Sequence, residues 1–233
     1  MTFTGEVADA AAAHALGPDY VRAVGKVITS HVRNELAGAT VFDEPAIALA
    51  PGPREKWLAC RIAMEEYGHH LKFQRLASEL ELDGGGGPTL SVFDYRLTSW
   101  ADFVVLKALV DLAEVVLMEE LAATSYLPLR DLVARLLPEE HFHVSFGMAA
   151  TRELLAGGDE APAAVQRTVD DLVRFTVPFF GRSGSANNEA FRYWGVKQRT
   201  NDAARAEWLA RAGAFVEGDL GLCFPDVEPQ WAV

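Results

Sequence analysis

Two stretches of the chain repeat one short pattern, a glutamate followed three residues later by a histidine. Glu66 and His69 lie in MEEYGHHLKF, and Glu140 and His143 in LPEEHFHVSF. Residues three apart on a helix are neighbours, so a carboxylate oxygen and an imidazole nitrogen at this spacing can reach one metal ion. A single Glu-x-x-His is common on solvated helices. Here both examples fall inside apolar stripes, where an ionised group is strongly unfavourable unless something compensates it. Helical bundles that bind paired iron or manganese use this arrangement, with one further carboxylate from each of two more helices.

The positioning elements follow from periodicity near 3.6, which dominates the chain, while strand-like alternation is almost absent. Long helices are expected at about 18–42, 54–82, 98–124 and 128–156. The second carries Leu58, Ile62, Glu66, His69, Phe73, Leu76 and Leu80 on one face, and the fourth repeats the design with Leu129, Val133, Leu136, Glu140, His143, Gly147, Ala150 and Leu154. On the first, the stripe Val21, Val24, Ile28, His31, Glu35, Gly38 and Phe42 makes Glu35 the inward carboxylate, with His31 on the same face. On the third, Trp100, Val104, Ala108, Asp111, Val115, Met118 and Ala122 select Asp111 over Glu114, Glu119 and Glu120; Glu114, one turn further along nearly the same face, is its competitor.

The breaks have local causes. DEPAIALAPGP at 43–53 holds three prolines and reads as a loop. DGGGGP at 83–88 ends the second helix, and TLSVFDYRLTSW is long enough to cross the bundle before Thr98 or Ser99 caps the third. Pro138 should kink or restart the fourth helix. AGGDEAP precedes a fifth helix with Pro162 in its first turn, and shorter helices follow at about 189–198 and 202–216. One domain over 1–233 is expected, its core at about 18–156 and C-terminal helices at about 160–218.

Four buried carboxylates alone would repel one another and take up protons, whereas two divalent ions bring four positive charges against four negative. Oxygen and imidazole ligands without thiolates suit two iron ions, ahead of manganese, with dioxygen as co-substrate at open positions. His70 and His141 fall off the inward stripes. Glu65 and Glu139 each precede a candidate ligand and are candidates to orient a histidine, with plain surface exposure as the equal alternative. Tyr67, Tyr126, Phe142, Phe179 and Phe180 are candidates for a substrate cavity, with plain core packing as the alternative.

Composition narrows the setting. Half the residues are apolar and the formal net charge is −12, which disfavours nucleic acid and anionic membrane surfaces as partners. The longest apolar runs, such as FVVLKALV, fall well short of the roughly 20 residues of a membrane helix. Two cysteines and no basic start to the N-terminus point to a soluble protein of the cytoplasm.

The segments NELAG at 34–38, EEYGHH at 65–70, SVFDYRLTSWADF at 91–103, LVD at 109–111, SYLPLR at 125–130, EEHFH at 139–143 and YWGVKQRTND at 193–202 occur in an order that resembles the phenylacetic acid catabolic family, particularly its catalytic epoxidase subunits. The resemblance implies an all-α, ferritin-like four-helix bundle with additional C-terminal helices. It carries the family's metal ligands onto Glu35, Glu66, His69, Asp111, Glu140 and His143, and it favours Asp111 over Glu114. It implies a di-iron monooxygenase acting on a small organic substrate, aromatic or acyl-CoA, fed by a separate reductase or ferredoxin, as a homodimer or hetero-oligomer. A stand-alone C-hydroxylase or N-oxygenase, and a non-catalytic scaffold or storage role, are the alternatives. One departure stands out: Ile62 occupies the place, one turn before Glu66, where the family resemblance implies a lysine.

Overall fold

The computed structural model describes residues 2–83 and 90–227. A short helix α1 (Ala10–Ala15) is capped by Asp9, whose Oδ1 accepts from the Ala12 amide at 2.8 Å. The long α2 (Pro18–Gly38) runs on through a π turn at Ala39–Asp43 into α3 (Glu44–Leu49). The expected loop at 43–53 is therefore mostly helix. Pro45 lies at the start of α3, directly after the π turn, and only 50–52 separate α3 from α4 (Pro53–Glu79). The π turn widens the helical register and leaves Asp43 fully buried. The glycine run expected to end α4 lies outside the described residues.

After a 3-10 turn at Ser91–Asp94, α5 (Trp100–Leu121) starts at a capping box. Ser99 Oγ accepts from the Asp102 amide, and Asp102 accepts from the Ser99 amide. Then come α6 (Leu127–Leu155), α7 (Ala161–Thr176), α8 (Ala186–Tyr193) and α9 (Asn201–Gly213). Pro138 does not restart α6, which is one helix. Ala134, whose carbonyl loses its helical donor there, lies on the exposed face within reach of water. Pro162 falls in the first turn of α7, and α8 ends where Gly195 adopts φ 65°.

Among the described residues the architecture is all-α, the one backbone bridge outside helices joining Val7 and Tyr126. α5 is its central helix. Every residue from Phe103 to Ala113 is buried, because α6 packs on one side while α7 and α9 cover the other. Trp208 of α9 donates its indole N–H to the Leu109 carbonyl at 2.8 Å. The α5–α6 contact is close enough to exclude a side chain at Gly147. A Cβ there would stand 2.6 Å from the Lys107 carbonyl carbon and 2.8 Å from the Val104 oxygen. Among the described residues, no helix is long and apolar enough to cross a membrane.

Candidate metal centre

The helices α2, α4, α5 and α6 bring Glu35, Glu66, His69, Asp111, Glu140 and His143 into one cluster, each no more than 6% exposed. Ligand atoms of Glu35, Glu66, His69 and Glu140 lie within 4.8 Å of one another, and so do those of Glu66, Asp111, Glu140 and His143. Glu66 and Glu140 belong to both groups. His69 Nδ1 stands 2.8 Å from Glu140, 3.6 Å from Glu35 and 3.7 Å from Glu66. His143 Nδ1 stands 3.2 Å from Glu66, 3.6 Å from Glu140 and 3.9 Å from Asp111. Donor atoms about 2.1 Å from one ion sit roughly 3.0–3.4 Å apart, so most of these spacings are close to those of coordination edges.

The two histidines are held by exchanged partners. His69 of α4 donates from Nε2 to Glu139 of α6 at 2.7 Å, and His143 of α6 donates from Nε2 to Glu65 of α4 at 2.8 Å. Each carboxylate that precedes a candidate ligand thus orients the histidine of the opposite helix and turns its Nδ1 inward, as metal-binding imidazoles require. Arg61 in turn holds Glu65 at 2.8 Å. Buried polar atoms are almost always hydrogen-bonded. Here both oxygens of Glu35, Glu140 Oε1, Asp111 Oδ2 and the Nδ1 atoms of His69 and His143 are buried with no hydrogen-bond partner, so the donor set fits a pair of cations.

A lysine reaches the cluster from α5. Lys107 of α5 donates to Glu66 Oε1 at 3.0 Å and forms ion pairs with Asp43 at 2.8 Å and Asp111 at 3.1 Å. Neither Lys107 nor Asp43 stands out by sequence pattern. The available signal is a lone lysine inside FVVLKALV, four residues before Asp111. Burial pushes the Glu66 carboxyl up, but Lys107, His143 and His69 outweigh it and hold it well below its ordinary value. Burial likewise raises Asp111, and there it outweighs the opposing Lys107. Burial lowers the His69 imidazole, yet Glu140 and Glu35 push it up to about 12.

Other candidates settle elsewhere. Glu114 does not join the central cluster; it pairs with His31, whose Nδ1 is 3.4 Å from it. His70 is half-buried and bonds through Nδ1 to the Val32 carbonyl at 2.8 Å, tying α4 to α2. His141 is exposed. Tyr126 and Phe180 are core residues, whereas Phe179 lines a cavity beside His31.

A buried carboxylate–histidine cluster gripped by four long helices defines a ferritin-like, all-α bundle. The chain belongs to the phenylacetic acid catabolic protein family, whose model matches residues 8–232. It is similar to one component of the 1,2-phenylacetyl-CoA epoxidase of Escherichia coli (strain K12), with 30% identity over 224 residues, which cover 90% of this chain and 71% of that protein.

Proposed function

We propose that this chain is an oxygen-dependent monooxygenase in which Glu35, Glu66, His69, Asp111, Glu140 and His143 hold two iron ions. The carrying observation is that two four-residue groups share Glu66 and Glu140, the donor pattern that a bridged pair of ions needs. The four carboxylates balance two divalent ions, and Lys107 with Asp43 adds one charge of each sign, so the buried set stays neutral. When bound and reduced, the iron pair supplies electrons and open coordination positions for dioxygen.

The chain's own residues do the rest. Glu139 and Glu65 keep the Nδ1 lone pairs of His69 and His143 aimed inward, Lys107 fixes the Glu66 carboxylate, and the surrounding apolar side chains exclude water. The overall reaction places one oxygen atom in an organic substrate and the other in water, consuming two electrons from a separate reductase or ferredoxin and two protons from solvent. The similarity to an epoxidase component supports an aromatic or acyl-CoA substrate and a hetero-oligomeric setting. Two unpaired cysteines agree with a cytoplasmic location.

His143→Ala tests the reading. Reductant- and substrate-dependent oxygen consumption should vanish and iron content should drop, with the far-ultraviolet dichroism retained. Turnover that survives this substitution would refute the ligand assignment.

A further inference from the structure

A second carboxylate–histidine group adjoins the central six and shares Glu35 with them. His31, Glu35 and Glu114 offer ligand atoms within 4.8 Å of one another. His31 Nδ1 is buried with no hydrogen-bond partner, 3.4 Å from Glu114 Oε1 and 3.7 Å from Glu35 Oε1. Neither contact has hydrogen-bond geometry, and both separations are near the roughly 3.0–3.4 Å between donors that share an ion. The imidazole is fixed in plane by stacking on Phe73, with ring centroids 4.6 Å apart and planes 9° apart.

Two features give this group a direction. His31 and Glu114 line a cavity of about 440 Å³, together with Asn34, Leu117, Phe179 and Lys197, so they meet whatever enters from that side. Glu35 faces both ways: its Oε1 looks toward His31, while its Oε2 lies 3.6 Å from His69 in the central cluster. An ion held by His31 and Glu114 is therefore already in reach of a central ligand. The cavity also carries Lys26 and Lys197, whose positive charges weaken the hold on a cation.

We infer that His31, Glu35 and Glu114 form a third divalent-cation position, weaker than the central pair, through which the centre is loaded from the cavity. The inference rests on the di-metal reading above. The ion passes from His31 and Glu114 to the shared Glu35, and no bond within the protein is made or broken.

Cobalt(II) tests it, by equilibrium dialysis with elemental analysis and by the rate at which visible absorption of the central pair appears. The full-length wild type should take up two ions tightly and a third more weakly. Glu114→Gln, which keeps the shape and removes the charge, should lose only the third and fill the central pair roughly tenfold more slowly or worse; Glu114→Ala serves if that variant is unstable. A wild type that saturates at two ions, a Glu114→Gln protein that keeps the third, or an unchanged loading rate overturns the proposal while leaving the di-metal reading intact. A wild type that binds no cobalt overturns both.

Discussion

Lys107 is held inside a nest of carboxylates, 2% exposed, by charges on three different elements: the π turn, α4 and α5 itself. Removing one member of a buried ionic set leaves the others uncompensated, at about 3–5 kcal/mol. Lys107→Met should therefore destabilise the metal-free protein by that order in urea melts, and by less after metal loading, because bound cations then supply the missing charge. Equal losses in both forms would show that the ammonium acts through packing alone. Glu65 and Glu139 act at the same scale but one bond further out. Glu65→Gln keeps its shape yet removes the charge that His143 donates to, and an outer partner of this kind changes metal affinity by roughly 10–100-fold. Calorimetric titration with ferrous ion under anaerobic conditions should show that weakening, without a matching change in helical content.

Among the helices, α5 bears the most constraint, since it supplies Lys107 and Asp111 and is covered on both sides. Its approach to α6 depends on the missing side chain of Gly147. Gly147→Ala must push backbone against backbone, where no flexible side-chain end can yield, and should cost about 1–3 kcal/mol or more through overpacking. Because the displaced helices carry Asp111, Glu140 and His143, metal affinity should fall with it. The start of α5 brings a pH dependence. Burial raises the Asp102 carboxyl, but bonds from the Thr98 hydroxyl and amide, the Thr168 hydroxyl and Ser99 hold it below its ordinary value. A carboxyl depressed on folding contributes stability above its unfolded value of about 4, and loses it as pH falls through the lower folded value. The stability gap between wild type and Asp102→Asn, of order 1 kcal/mol for a cap, should thus be constant near neutrality and close below about pH 4. A gap that widens on acidification would contradict the assignment.

For the whole molecule, the central cluster is a fault line: six buried side chains of four helices include polar atoms with no hydrogen-bond partner, which the proposed pair of ions would compensate. Saturation at 100 times the dissociation constant adds about 2.7 kcal/mol for each site and about 5 kcal/mol for the pair, which for a chain of this size corresponds to a rise of roughly 10–20 °C in melting temperature. Differential scanning calorimetry before and after chelation should show that difference, and an unchanged midpoint would argue against metal binding to the folded state. Much of this is legible in the chain itself. The long helices and the six inward residues follow from apolar periodicity, because a charged residue in the middle of a buried stripe marks itself. The helix at Glu44–Leu49 is hidden by three prolines whose effect depends on whether each falls inside a first turn. Lys107 and Asp43 are hidden for a different reason: they lie far apart along the chain and neither belongs to a repeated motif, so only packing shows that they meet. The sequence alone determined that this is an all-α chain with two Glu-x-x-His helices and two further inward carboxylates, since period and spacing are local properties. The tertiary structure alone decided that Glu65 and Glu139 exchange histidines, that Glu114 serves His31 rather than the central cluster, and that α5 delivers the lysine, because each depends on how separate helices rotate and approach in space.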